Sequence, residues 1–192
     1  VMRILMCSPE HFGIYYKINP WMDPKPPADN ELATKQWNNL VKAIKLSGAE
    51  VTYIQPHKDY PDMVFTANAG IIKNKVFIPS NFRYKERQGE SCLFEKWFAA
   101  DGFEIKRLPA ELYFEGAGDM LSLGEIYFGA SGFRSSGECY SVLSDLLDVD
   151  IVRLELKNDY FYHLDTCFTP LDDSLCMYYP DAFTDKSIRK IE

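Results

Sequence analysis

One structural unit recurs three times along this chain, and that recurrence limits its fold more than any other feature. Val64–Gly70 and Val76–Pro79 read as two strands of a hairpin turning at Lys73-Asn74-Lys75; a helix around Leu93 and Trp97 follows, closed by Gly102, then a strand Phe103–Leu108. Met120–Leu123 and Ile126–Phe128 form the next hairpin around Gly124-Glu125, and a helix through Tyr140, Leu143 and Leu147 leads into a strand Ile151–Leu156. The third hairpin pairs His163–Leu171 with Leu175–Tyr179 across Asp172-Asp173-Ser174, and a helix begins near Thr184. The period is about fifty residues, the scale on which a supersecondary unit repeats around an axis or along a stack. Ahead of the repeat lie a strand Arg3–Cys7, an aromatic loop Ser8–Pro27, a helix capped by Asp29 and ended by Gly48, and a strand Val51–Ile54.

Polar residues return at one place in each unit, near the start of the hairpin's first strand: Asp62 and Asn68, then Glu115 and Asp119, then His163 and Asp165. Units arranged about an axis would gather these into one pocket. In the third copy, Tyr160–Thr169 reads as a buried strand with His163, Asp165 and Cys167 at alternate positions and so on one face. Carboxylates around an imidazole suit a cationic planar ligand such as a guanidinium, with His163, held by Asp165 or Glu115, as general base or acid. Cys167 is excluded as its nucleophile on this reading, because at ~3.3 Å per residue it lies ~13 Å along the strand from His163. It and the other cysteines read as packed thiols. Asp119 reads as orienting its turn, and the Gly116-Ala117-Gly118 run lacks the spacing of a nucleotide loop.

Composition narrows the classes. A net charge of −7 and the lack of any basic block argue against a nucleic-acid surface. No apolar run reaches the ~18 residues of a membrane span, and Val1–Met6 is too short for a signal peptide. Five cysteines, an odd number without CxxC spacing, point to reduced thiols and a cytoplasmic setting. His11 and His57 have no spaced partner for a metal. The helix starting at Thr184 meets no stop signal before Glu192, so the chain reads as one domain over 1–192, cut short at its C-terminal side.

Four spaced motifs then carry a family resemblance: Met6-Cys7-Ser8-Pro9 with Ile18-Asn19-Pro20-Trp21-Met22; Pro61-Asp62-Met63-Val64-Phe65-Thr66-Ala67-Asn68-Ala69-Gly70; Phe114-Glu115-Gly116-Ala117-Gly118-Asp119; and His163-Leu164-Asp165-Thr166. In this order they resemble the guanidine-modifying pentein superfamily of arginine deiminases, dimethylarginine dimethylaminohydrolases, arginine dihydrolases and amidinotransferases. The resemblance implies an α/β propeller of five ββαβ units about a pseudo-fivefold axis, here incomplete at three to four units. It implies Glu115 and His163 as the acid–base pair, and Asp165 and Asn68 at the guanidinium. Arg87 and Arg134 would hold the substrate carboxylate, with Asp62 also lining the substrate site and Asn19 on a covering loop. The implied nucleophile is a cysteine near the family's C-terminus with no counterpart in these 192 residues, so the chain alone should be inactive. Asn at 68, where many relatives carry Asp, looks like the arginine dihydrolases, which yield ornithine, ammonia and carbon dioxide. The resemblance implies no metal or organic cofactor, a small guanidino compound as partner, and leaves homo-oligomerisation open. A transferase passing the amidino group to an amine, a dimethylarginine dimethylaminohydrolase, and a non-catalytic binding pentein are the alternatives.

Overall fold

The computed structural model describes residues 2–192; Val1, the first residue of the Val1–Met6 stretch, lies outside them. The chain divides into two compact units, Val1–Thr66 and Ala67–Glu192. In the first, β1 (Arg3–Cys7) pairs in parallel with β2 (Glu50–Ile54), joined by α1 (Asn30–Leu46). The Asp29 carboxylate caps α1 by accepting from Leu32 N at 2.8 Å, and Gly48 leaves the helix at φ +88°, a conformation that favours glycine. Val41 is the buried residue of α1, Trp37 packs its indole 5.9 Å from the Tyr53 ring, and Leu40 stays exposed.

The second unit contains the repeat. β3 (Gly70–Lys73) and β4 (Val76–Pro79) form an antiparallel hairpin; the short α2 (Lys85–Gln88) and α3 (Glu90–Ala100) follow, and β5 (Glu104–Ile105) returns parallel to β4. The next copy is the same: β6 (Met120–Leu123) antiparallel to β7 (Ile126–Ser131), α4 (Cys139–Leu147), and β8 (Ile151–Glu155) parallel to β7. A third hairpin, β9 (Phe168–Pro170) with β10 (Cys176–Tyr178), leads to α5 (Asp185–Ile191), whose start at Thr184 matches the sequence reading.

Period-two alternation sorts the central sheet's side chains onto two cores. Met120 and Tyr127 join Ile71, Ile78, Tyr140 and Leu143 on one side; Leu121, Leu123, Phe128 and Ala130 join Leu164, Phe168 and Phe183 on the other. Each fully buried aromatic or aliphatic side chain contributes about 1.5–3 kcal/mol. Tyr140 ties one core to the polar cluster described below, donating from Oη to the carbonyls of Asp119 (3.1 Å) and Ala130 (2.5 Å). Gly129 has no side chain because Tyr140 occupies that space: a Cβ there would lie 2.5 Å from ring carbon Cδ1. The ring is fully buried and held by its hydroxyl, so Gly129→Ala is expected to lower stability by about 1–3 kcal/mol in denaturant unfolding. An unchanged midpoint would show that the ring can yield.

Three strand readings need correction. The first hairpin's opening strand begins at Gly70, not Val64; Pro61–Val64 and Thr66–Ala69 are 3-10 turns. The strand after α3 shrinks from Phe103–Leu108 to Glu104–Ile105. Tyr160–Thr169 is not a strand: Asp159–Phe161 and Leu164–Thr166 are 3-10 turns, and β9 starts at Phe168. Short polar side chains won locally. Thr166 Oγ1 donates to the His163 carbonyl at 2.7 Å and Asn158 Oδ1 accepts from Tyr160 N at 3.1 Å, bonds that a strand ladder would forbid.

Candidate active site

Each hairpin of the second unit is preceded by a 3-10 turn, and the polar residues sit on those turns. Asn68 lies in Thr66–Ala69; Glu115 and Asp119 flank Gly116–Gly118; His163 opens Leu164–Thr166 in extended conformation. A strand would have spread these residues along its length. A tight turn aims them at one point. Glycines make the approach close enough: Gly116 holds φ +62°, and a Cβ on Gly118 would overlap the Asn68 amide and lie 3.3 Å from His163 Nδ1.

His163 is clamped between two carboxylates. Asp119 Oδ1 lies 2.8 Å from Nδ1, and Glu115 Oε2 lies 3.4 Å from Nε2. Asn68 Nδ2 is 3.3 Å from the same Nε2 and donates to the Glu115 carbonyl at 3.4 Å. Glu115, fully buried, also accepts from Arg134 Nη1 at 2.6 Å and from Arg83 N at 3.2 Å. The Arg134 guanidinium is flanked by the rings of Tyr84 and Tyr162, 4.9 and 4.8 Å from their centres. Asp119 is held in turn, its Oδ2 accepting from Ser135 N (3.1 Å) and Ser135 Oγ (2.5 Å), its Oδ1 from Leu164 N (3.3 Å). Arg87, buried, forms a two-point pair with Glu90 at 2.8 Å each and donates from Nη1 to Asn68 Oδ1 at 3.3 Å.

The geometry revises several expectations. Asp119, read as a turn residue, is the partner of His163 Nδ1, while Glu115, one of the two partners expected for the ring, lies at Nε2. Asp165 does not share a strand face with His163; the residue is solvent-accessible on the turn, while its carboxyl is crowded by the surrounding protein. Cys167 is not ~13 Å away along a strand: its thiol donates to the His163 carbonyl at 3.7 Å and the Leu164 carbonyl at 3.5 Å. It is a core thiol for another reason. Burial, with Asp165 and Asp119 nearby, pushes it up to about 12 against a lowering bond from Thr166, and burial does the same to Cys139. Neither forms a thiolate near neutrality. The five cysteines are thiols outside any disulfide. Arg87 and Arg134, expected at the substrate carboxylate, have their guanidinium groups in buried ion pairs with Glu90 and Glu115. Asn19 and Asp62 belong to the first unit: Asn19 Oδ1 accepts from Trp21 N (2.9 Å) and Met22 N (3.1 Å), folding its own loop, and buried Asp62 accepts from Tyr16 Oη at 2.8 Å. Ser135 and Glu90 were missed, although Glu90 stands three residues after Arg87 on a helical reading, a pairing visible in the sequence.

Asp165 carries a pH signature. Desolvation raises its carboxyl to about 6, against the lowering effect of His163 and with a further push from Asp119. A carboxyl raised on folding favours the protonated native state, so its contribution is complete below pH 3.8 and is lost as pH rises through about 6. Asp165→Asn is therefore expected to gain stability relative to the parent between pH 4 and pH 7, read as a growing difference in thermal midpoint; a constant difference would remove this account of Asp165.

Among the described residues no group of three or more His, Cys, Asp or Glu side chains is arranged to hold a metal ion, and no helix is long and apolar enough to cross a membrane. What the cluster offers is a buried imidazole with a carboxylate at each nitrogen, an arrangement for proton transfer next to a cation.

Comparison with known proteins gives this arrangement a family. A family model described as N,N dimethylarginine dimethylhydrolase, eukaryotic, matches residues 19–191, and the chain belongs to that family, within the pentein superfamily. The bifunctional arginine dihydrolase/ornithine cyclodeaminase ArgZ of Synechocystis sp. is 44% identical over 194 residues, covering all of this chain and 27% of its own length. The dimethylarginine dimethylaminohydrolase of Mycobacterium tuberculosis is 37% identical over 182 residues, 95% of this chain and 60% of that protein. The crystal structure of the N-terminal domain of ArgZ, as a cysteine-to-serine variant bound to substrate, superposes with a TM-score of 0.96 at 44% identity over all of this chain and 72% of that one. An asparagine-to-serine variant of the same domain, covalently bound to a reaction intermediate, superposes equally well at 43% identity, covering all of this chain and 71% of that one. The chain thus spans little more than a quarter of that full-length bifunctional relative.

Proposed function

We propose that this chain supplies the acid–base half of a guanidine hydrolase of the arginine dihydrolase type. The observation that carries the proposal is the clamp on His163, with Asp119 at Nδ1 and Glu115 and Asn68 at Nε2. ArgZ, which is similar over the whole chain, is an arginine dihydrolase and was crystallised with a covalent reaction intermediate. That supports a covalent route. A cysteine thiolate adds to the guanidinium carbon; the bond to one terminal nitrogen breaks, and ammonia departs with a proton from His163. Water then gives a proton to His163 and its oxygen attacks the same carbon; the second terminal nitrogen leaves as ammonia, so a thiocarbamate joins the sulfur to the ornithine nitrogen. A second water attacks that carbon, the C–S bond breaks to return the thiolate, and the carbamate released loses carbon dioxide to give ornithine. With arginine the balance is arginine plus two waters giving ornithine, two ammonia and carbon dioxide.

Glu115 steadies the imidazolium formed at Nε2 and is itself held by Arg134. Asn68 and Asp165 are assigned to the guanidinium, the raised Asp165 carboxyl ionising as the cation arrives. Asp62 and Asn19 keep their substrate-side assignments. Arg87 and Arg134 are assigned to the substrate carboxylate, a role in which each exchanges part of its present pairing. The nucleophile is assigned to polypeptide beyond Glu192, since Cys139 and Cys167 are held as thiols, and the chain alone is inactive on this reading. Proposed with it is a longer propeller in one domain, set in a reducing, cytoplasmic compartment. The outer face of the third hairpin supports continuation: Leu171, Leu175 and Met177 are 55–62% exposed, whereas the matching faces of the two earlier sheets are buried under the following unit.

The test is product analysis with the longer protein. Ornithine and ammonia from arginine alone support the reading. Citrulline as end product, dependence on an added amine, or turnover confined to dimethylarginine would each replace it with another activity.

A further inference from the structure

We infer that the buried Arg87–Glu90 pair is a positioning device that fixes the Asn68 amide and, through it, the tautomer of His163. The inference rests on the site assigned above and concerns what sets its base. Asn68 has one acceptor and one donor end, and its surroundings distinguish them. Arg87 Nη1 lies 3.3 Å from Oδ1, so the acceptor end faces a fixed cation. The donor end faces the Glu115 carbonyl at 3.4 Å and His163 Nε2 at 3.3 Å. Flipping the amide would set its NH2 against a guanidinium and its oxygen against a carbonyl oxygen. Without substrate, Arg87 is kept in place by Glu90, which holds Nε and Nη2 at 2.8 Å each, and neither side chain is more than 4% exposed.

An amide held that way presents N–H groups to Nε2, so Nε2 must accept. The ring proton then sits on Nδ1, 2.8 Å from Asp119 Oδ1, itself fixed by Leu164 N and, through Oδ2, by Ser135. Asn68 and Asp119 thus specify the same tautomer from opposite ends of the ring. One group facing His163 opposes it, Glu115 Oε2 at 3.4 Å from Nε2, but the charge of that oxygen is already engaged by Arg134 Nη1 at 2.6 Å; Asp165 acts on the ring by charge, and the Tyr162 ring lies beside it with centres 5.0 Å apart. The consequence is a resting histidine with its lone pair on Nε2, the nitrogen beside Glu115. An aspartate at 68 would reverse this, since a third carboxylate would draw a proton onto Nε2.

Histidine-selective 15N NMR reads the protonation of each ring nitrogen, and the His163 signals are those absent from His163→Gln. At neutral pH the parent chain is expected to show a protonated Nδ1 and a bare Nε2. Asn68→Asp should move Nε2 to its protonated position at the same pH. The double variant Arg87→Gln/Glu90→Gln removes both buried charges together, leaving neither unpaired, and should give a mixture of tautomers. A bare Nδ1 in the parent, or parent-like His163 signals in either folded variant, overturns the inference. If the double variant does not fold, Asn68→Asp decides alone. The expected tautomer in a longer protein that does not turn over arginine would sink the proposed function and leave this inference standing.

Discussion

Arg134→Met is expected to destabilise the protein by about 3–5 kcal/mol, the largest loss of stability for any single change at the site. Glu115 is fully buried and Arg134 is 2% exposed, with 2.6 Å between them. Taking two charges out of water costs several kcal/mol per ion, and here each charge offsets much of that cost for the other. Methionine fills the stem's volume between Tyr84 and Tyr162 but leaves the buried Glu115 carboxylate without its cation, with Arg83 N still donating to it. Pairing Arg134→Met with Glu115→Leu removes the stranded charge. Urea unfolding should therefore show the double variant to be less damaged than the sum of the two single changes. Strict additivity would mean that the two side chains do not act as a pair.

His163→Gln is expected to lower arginine turnover by the longer protein by about 10²–10⁴-fold, the range lost when a positioned acid–base group is removed. Glutamine can keep a hydrogen bond toward Asp119, so fold and substrate binding should survive while proton transfer fails. The loss should appear in kcat rather than in KM. Asp119→Asn belongs to the same experiment as its control: with the ring's orienting carboxylate gone, turnover should fall by less than in His163→Gln. Full activity in His163→Gln would take the imidazole out of the reaction.

The repeat was legible because hydrophobic periodicity and turn residues mark it directly. The hairpins at Asn74 and Gly124, the α1 cap at Asp29 and the start of α5 all fall where the sequence puts them. What misled was reading β-branched and aromatic content as strand at Val64–Ala69 and Tyr160–Cys167. There, Pro61 opens one 3-10 turn with its fixed φ, Thr66 ties the next to the Leu5 carbonyl 61 positions earlier, and Thr166 of the third copy bonds back to the His163 carbonyl, none of which composition reveals. The error shifted the site's logic. On a strand His163, Asp165 and Cys167 share a face; on a turn His163 points to Asp119, a residue 44 positions earlier. Long-range partnership of that kind has no periodic signature, which is why Asp119 was read as a turn residue and Ser135 was passed over. Asn68, Glu115 and His163 could be singled out because each stands at or just before the turn that precedes its copy's hairpin.

The central claim is that the guanidinium is handled at the cluster where these three turns meet. Its most direct test is to titrate arginine into the 15N-histidine-labelled longer protein and follow His163. The account predicts a saturable change in the His163 ring signals at concentrations matching the arginine dependence of turnover, with His11 and His57 unaffected. Arginine turnover that leaves the His163 signals unmoved at saturation would place the chemistry elsewhere.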